Sequence, residues 1–128
     1  RGLVEHPLDQ AVLHGDVQHH NLLDFGDRGW CFIDPKGLLG ESLYDFANIF
    51  CNPDEETAQR PGLVSHRANL VANLTGCDRT RLLQWVVAYC GLSASWHLED
   101  ETDPSHPLTI GASALADLGD KAQPIRDV

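Results

Sequence analysis

The chain has 128 residues, a formal net charge of -10 and 42% hydrophobic residues. That is one domain's worth of sequence, enough for a modest core, and no apolar run approaches the ~20 residues of a membrane span. The negative charge argues against nucleic acid and an anionic membrane as partners, because both need Lys and Arg to meet phosphates; it is compatible with a cationic small molecule, and more plainly with acidity that keeps the protein in solution.

Residues 1–9 carry no pattern and read as an irregular lead-in. They begin at Arg1 and lack the basic start and apolar run of a signal peptide, so the expectation is a soluble, cytoplasmic protein. Gln10 to Leu13 reads as a strand running into a loop at His14-Gly15. Asn21 to Phe25 and Trp30 to Ile33 are two further apolar runs, separated by the turn-forming Gly26-Asp27-Arg28-Gly29. Together they predict a β-hairpin. Pro35-Lys36-Gly37 then breaks the strand.

From there the period changes to that of helices. Ser42 is placed to cap a helix bearing Leu43, Phe46, Ala47, Ile49 and Phe50, and Asn52-Pro53 ends it. A second helix is predicted from Leu63 to Leu74, with Gly76 as its C-terminal cap. Asp78 is the expected cap of a third, in which Leu82, Trp85, Val86, Tyr89, Cys90 and Trp96 recur at helical spacing and are read as core. The acidic stretch Glu99 to Asp103 closes it, and a last helix is expected from Leu108 to Leu118. Asp54-Glu55-Glu56 and Glu99 to Asp103 read as solvated charge runs. Cys31, Cys51, Cys77 and Cys90 form no C-x-x-C pair and read as reduced, mostly buried small hydrophobes. The order of strand, hairpin and then helices gives an α+β class, mostly helical with a small β-hairpin.

The segment that carries chemistry is Leu13-His14-Gly15-Asp16-Val17-Gln18-His19-His20-Asn21. Asp16 lies in a loop after a strand, Asn21 follows five positions later, and Asp34 ends the hairpin thirteen positions after that. An isolated aspartate at such a place is usually a turn or cap residue. Three oxygen-bearing groups in this arrangement match what phosphoryl transfer needs: one carboxylate to orient an acceptor hydroxyl and take its proton, and an amide oxygen and second carboxylate for magnesium. In an antiparallel hairpin the ends bearing Asn21 and Asp34 lie side by side, and Asp16 leads into that same end.

His14-Gly15-Asp16 with Asn21 resembles the H-G-D-x-x-x-x-N catalytic loop of aminoglycoside phosphotransferases, relatives of protein kinases, whose loop reads H-R-D. Ile33-Asp34-Pro35-Lys36-Gly37, Gly40-Glu41, Tyr44-Asp45-Phe46-Ala47-Asn48 and Phe50-Cys51-Asn52-Pro53 are similar to the streptomycin 6-kinase branch, the aminoglycoside/hydroxyurea antibiotic resistance kinases. The resemblance covers most of the chain and implies a protein-kinase-like C-terminal lobe over residues 1–128. It implies ATP as phosphoryl donor, Mg2+ as cofactor and an aminoglycoside-like alcohol as acceptor. It makes Asp16 the catalytic base, Asn21 and Asp34 the magnesium and nucleotide ligands, His14 a structural residue of the loop and Asp45 its brace. Gly15 stands where protein kinases have arginine, so control by a phosphorylated activation loop is not implied.

A kinase of this type also needs an N-terminal lobe with a phosphate-covering loop and a strand lysine. The chain has no G-x-G-x-x-G and only two lysines, Lys36 and Lys121. The expectation is therefore a C-lobe whose ATP-gripping lobe is absent, completed by that missing lobe or by an oligomeric partner. Two other readings compete. One is a metal-dependent hydrolase built on His14, Asp16, His19 and His20, which leaves Asn21 and Asp34 unused. The other is a stand-alone C-lobe that binds a cation or partner without turnover.

Overall fold

The computed structural model describes residues 2–8 and 10–126, with side chains as far as residue 119. Arg1 and the side chain of Lys121 lie outside the described residues. The lead-in holds a single helical turn, α1 (Gly2–Glu5), followed by β1 (Gln10–Leu13), β2 (Leu22–Asp24), β3 (Trp30–Phe32) and β4 (Leu38–Glu41). Helices complete the chain: α2 (Leu43–Ile49), α3 (Glu55–Ala58), α4 (Leu63–Thr75), α5 (Arg79–Glu99) and α6 (Ser105–Arg126). This is the α+β arrangement expected from the sequence, with two small antiparallel sheets in place of one hairpin.

The predicted hairpin is β2–β3, with Leu22 opposite Phe32 and Asp24 opposite Trp30. Its loop is a short 3-10 turn, Gly26–Arg28, closed by the Gly29 N–H donating to Gly26 O at 2.8 Å. β1 pairs instead with β4, from Gln10 opposite Glu41 to Leu13 opposite Leu38. That strand was not expected after Pro35-Lys36-Gly37. Its neighbour lies far back in the sequence, so no local pattern marks it.

The core lies among the helices. Ala47 of α2 and Phe50 at its C-cap, Ala68 of α4, Leu82, Leu83 and Val86 of α5, and Ile110 and Ala114 of α6 are all fully buried. α5 is the axle, packing against α2, α4 and α6. Its N-terminus is capped as expected, Asp78 accepting from the N–H groups of Thr80 and Arg81. Gly76 closes α4 in the left-handed conformation its φ of 72° requires. Arg67 of α4 donates from Nη1 to the carbonyls of Ile49 and Asn52 at 2.9 and 2.6 Å, so it satisfies orphan acceptors past the end of α2.

Several expectations are corrected. Ser42 occupies the N-cap position of α2 without a side-chain capping bond. Asp54-Glu55-Glu56 is a solvated charge run that also starts α3, with Asp54 accepting from Thr57 N–H. α6 begins at Ser105, before Pro107, because a proline in the first turn lacks only an N–H that would have no helical partner. Of the cysteines only Cys90 is buried, while Cys31, Cys51 and Cys77 are half-buried, and all four are free. Trp85 is core, but Trp96 is 44% exposed.

One buried carboxylate ties the sheet to the helices. Glu41, at the end of β4, is 1% exposed. It accepts from Arg81 Nε and Nη2 at 2.9 and 2.7 Å, from Trp85 Nε1, and from Leu8 N–H at 2.6 Å. Burial alone pushes this carboxyl up, but the hydrogen bonds from Arg81, Leu8 and Trp85, with the Arg81 charge, outweigh it and hold the group below the ordinary glutamate range.

Candidate active site

The loop after β1 is fixed from three directions. Asp45, in the first turn of α2, accepts from the His14 N–H at 2.9 Å through one oxygen and from the Gly15 N–H at 2.8 Å through the other. His14 reaches across to the hairpin. Its Nδ1 accepts from the Asp16 N–H at 3.2 Å, so the proton of the neutral ring sits on Nε2, which donates to Ile33 O at 2.7 Å. Its ring also packs on Phe32, with centroids 5.4 Å apart. The Lys36 N–H donates to His14 O at 2.6 Å and ties down the segment after β3.

Gly15 is dictated by this packing. Its φ is +85°, and a Cβ there would stand 3.0 Å from Lys36 Cβ and 3.1 Å from Leu38 Cδ1. No arginine-sized side chain fits that place, which is a steric account of H-G-D where protein kinases have H-R-D.

Asp16 is held by side-chain amides. Asn21 Nδ2 donates to its Oδ2 at 3.0 Å and to its backbone O at 2.9 Å. Gln18 Nε2 spans both carboxylate oxygens at 3.1 and 3.2 Å, and the buried Asn48 Nδ2 adds a long 3.4 Å contact to Oδ1. Sequence reasoning assigned no role to Gln18 or Asn48. Asn48 lies three residues after Asp45, on the same face of α2, and that spacing is the signal that could have found it.

The hairpin ladder continues past its strands, with the Ile33 N–H donating to Asn21 O at 2.8 Å. Asn21 is thus opposite Ile33 and next to Asp34. Because Asn21 spends its amide N–H groups on Asp16, its Oδ1 is left to accept. The Asp34 side chain is 68% exposed and meets Lys36 Nζ at 3.4 Å. Its φ of 56° is uncommon for a residue other than glycine. An amide oxygen and a carboxylate are hard donors of the kind magnesium takes, so the residues present fit that ion. The set proposed for a hydrolase fares differently: among the described residues no three His, Cys, Asp or Glu groups are placed to hold a metal.

Asp16 opens on a cleft of 360 Å³, lined also by Gly15, Lys36, Leu38, Tyr44, Asn48, Tyr89 and Trp96. Tyr44 and Tyr89 meet edge to face, centroids 5.9 Å apart. Burial pushes both phenols up; Asp45 and Asp16 add to it at Tyr44, and the neighbouring Cys51, Tyr44 and Asp16 do so at Tyr89. Both remain protonated, and the negative charge of Asp16 is felt across the cleft. A second cavity of 400 Å³ shares Leu38, Tyr44 and Tyr89 but is otherwise mainly apolar, and its one carboxylate, Glu41, is already committed to Arg81 and Trp85. Of the groups expected to carry chemistry, Asp16 lines the smaller cleft, whereas Asn21 and Asp34 are not among its lining residues. Among the described residues no helix is long and apolar enough to cross a membrane.

The family model for aminoglycoside/hydroxyurea antibiotic resistance kinases matches residues 1–101. A streptomycin 3''-kinase of Klebsiella pneumoniae is 49% identical over 105 residues, which is 78% of this chain and 40% of that protein. A streptomycin 6-kinase of Streptomyces glaucescens is 30% identical over 111 residues, 84% of this chain and 36% of the relative. A hydroxyurea phosphotransferase of Kitasatospora aureofaciens is 29% identical over 89 residues, 70% of this chain and 25% of the relative. The chain therefore spans two fifths or less of the length of these relatives. No solved structure gives a significant match.

Proposed function

The chain belongs to the aminoglycoside/hydroxyurea antibiotic resistance kinase family, and we propose that it forms the catalytic and acceptor-binding lobe of a kinase-like phosphotransferase. In this reading the whole protein moves the terminal phosphoryl group of ATP to an alcohol of a streptomycin-like aminoglycoside, and a separate N-terminal lobe grips the nucleotide. A cytoplasmic setting, where ATP is available, belongs to the same reading. The observation that carries it is the Asp16 carboxylate, oriented by Asn21, Gln18 and Asn48 at the mouth of a cleft.

The acceptor hydroxyl enters the cleft and donates to Asp16, displacing the long Asn48 contact or one arm of the Gln18 contact, which is shared between two oxygens. As the acceptor oxygen bonds to the terminal phosphorus, the bond from that phosphorus to the leaving ADP oxygen breaks. The hydroxyl proton passes to Asp16. Asn21 Oδ1 and the Asp34 carboxylate would hold magnesium, which when bound neutralises phosphate charge. Asp45 and His14 act on none of the reacting atoms; they fix the loop that presents Asp16.

The test compares Asp16→Asn and Asp34→Ala in the whole protein, by magnesium-dependent nucleotide binding and by ADP release with streptomycin. Asp34→Ala is expected to lose nucleotide binding. Asp16→Asn keeps it and loses turnover by ~10²–10⁴-fold, the usual range for a general base, and by the lower half of that range if the transition state is loose. Equal loss of nucleotide binding in both variants, or wild-type turnover in Asp16→Asn, overturns the division of roles. Acceptor binding without any turnover in the wild-type protein would favour the non-catalytic reading.

A further inference from the structure

We propose that Trp96 is the platform on which the acceptor sits, its indole face meeting a cationic, sugar-like group while Asp16 meets the hydroxyl. This rests on the phosphotransferase reading and names the residue that would determine what that site accepts.

An aromatic stripe runs along α5. Trp85, Tyr89 and Trp96 stand at helical spacing along one face. Trp85 is buried under β4 through its bond to Glu41, and Tyr89 is half-buried against Tyr44. Further along, the cover stops: Leu92 is 40% exposed and Trp96 44%. The stripe therefore outlasts the elements that bury it. A single exposed tryptophan is unremarkable, since much of any protein surface is apolar. Trp96 differs because it lines the same 360 Å³ cleft as Asp16 and Tyr89. The size suits a small molecule or one ring system of a larger one.

The chemistry of the lining selects the occupant. A broad indole face attracts cations and stacks on flat groups such as a guanidinium or the apolar face of a sugar ring. The Asp16 carboxylate adds negative charge, and two protonated tyrosines border it. The single cation among the lining residues, Lys36, contacts Asp34 at 3.4 Å. Glu99 and Asp100 follow Trp96 at i+3 and i+4, on the same helical face and exposed. A polycationic amino sugar complements this surface; a neutral sugar lacks the charge and an anion is repelled.

Isothermal titration of the chain with streptomycin tests the assignment, with sucrose as the neutral comparison. The variants are Trp96→Ala, Trp96→Phe and, as control, Trp30→Ala on the hairpin, a tryptophan that is 69% exposed and outside the cleft. Trp96→Ala is expected to weaken streptomycin binding about ten-fold, the loss of one well-placed cation–π contact. Trp96→Phe keeps most of the affinity, Trp30→Ala keeps all of it, and sucrose shows no binding. Circular dichroism checks folding, and Trp96→Phe against the wild type carries the comparison if the alanine variant unfolds, with a measurable but smaller weakening. Affinity of Trp96→Ala within about two-fold of wild type, an equal loss in Trp30→Ala, or no streptomycin binding by the wild-type chain overturns the proposal. In the whole protein, Trp96→Ala raises the KM for streptomycin and leaves nucleotide binding unchanged. That outcome is separate from the Asp16→Asn result, so the platform and the phosphotransfer reading fail independently.

Discussion

Removing the Asp45 carboxylate should loosen the loop that presents Asp16 while leaving the helical core in place. The carboxylate accepts from the His14 and Gly15 N–H groups at 2.9 and 2.8 Å. Hydrogen bonds to a charged group contribute about 1.5–3 kcal/mol each, so two set an upper bound of about 3–6 kcal/mol. Asp45 is only half-buried, and water can reach the freed amides in part. The expected cost of Asp45→Ala is therefore about 2–4 kcal/mol. Asp45→Asn retains one acceptor and turns an amide N–H₂ toward the other donor, for about 1–2 kcal/mol. Urea denaturation of the chain measures the totals, and hydrogen exchange at the His14 and Gly15 amides supplies the local signature. As a comparison, Asp54→Ala removes an exposed cap on α3, with its bond to the Thr57 N–H, and should cost less than either Asp45 variant. A cost below about 0.5 kcal/mol for Asp45→Ala, the noise of surface substitutions, would refute the clamp. So would unchanged exchange at residues 14 and 15.

Two further outcomes follow from the same framework. Glu41 titrates below the ordinary glutamate value of 4.5 in the folded chain, so its contribution to stability is fully present above about pH 4.5 and is lost as pH falls through the lower folded value; Glu41→Gln should be less stable by about 2–3 kcal/mol at pH 7, with the gap closing in acid, and a pH-independent gap in denaturation midpoints would contradict it. Gly15→Ala should destabilise the chain by about 1–3 kcal/mol through its positive φ and the approach of Lys36 Cβ, and should alter exchange at Asp16 and Lys36; a neutral Gly15→Ala would mean the loop has room that the packing denies it.

What the sequence made legible was local. Gly26 and Gly29 punctuate the hairpin, Asp78 and Gly76 mark helix ends, and the helical period of Leu82, Val86 and Cys90 locates the buried face of α5. The pairing of Asn21 with Ile33 followed from the same punctuation, because a hairpin's geometry is set by its own turn; the expected convergence of Asp16, Asn21 and Asp34 did not, since of the three only Asp16 lines the cleft. β4 was missed because four residues ending in glycine and glutamate carry little strand signal, and the strand forms only against β1, a long-range partner. Trp96 was misread for a related reason. Periodicity says which face of a helix a side chain is on, whereas burial depends on whether another element covers that face. The amides around Asp16 escaped notice because Asn48 acquires its meaning only when α2 folds beneath the loop, and Gln18 only when the loop turns its amide back onto Asp16.

The cleft has two walls of different origin, and Glu41 is what couples them. One wall is the loop at Gly15 and Asp16, carried by β1; the other is the face of α5 bearing Tyr89 and Trp96. β1 is paired with β4, and β4 ends in Glu41, whose carboxylate grips Arg81 and Trp85 at the start of that same α5 face. Apolar packing alone tolerates sliding of a helix along its neighbour, because dispersion contacts are many and individually weak. A buried carboxylate that accepts from a guanidinium, an indole and a backbone N–H does not, since any displacement leaves polar groups unpaired away from water. The register between Asp16 and Trp96 is therefore set near Trp85, about three helical turns from the cleft end of α5. A polar group in the protein core thus serves the geometry of a surface site. Loss of Glu41 should accordingly disturb acceptor recognition even in conditions where the chain remains folded.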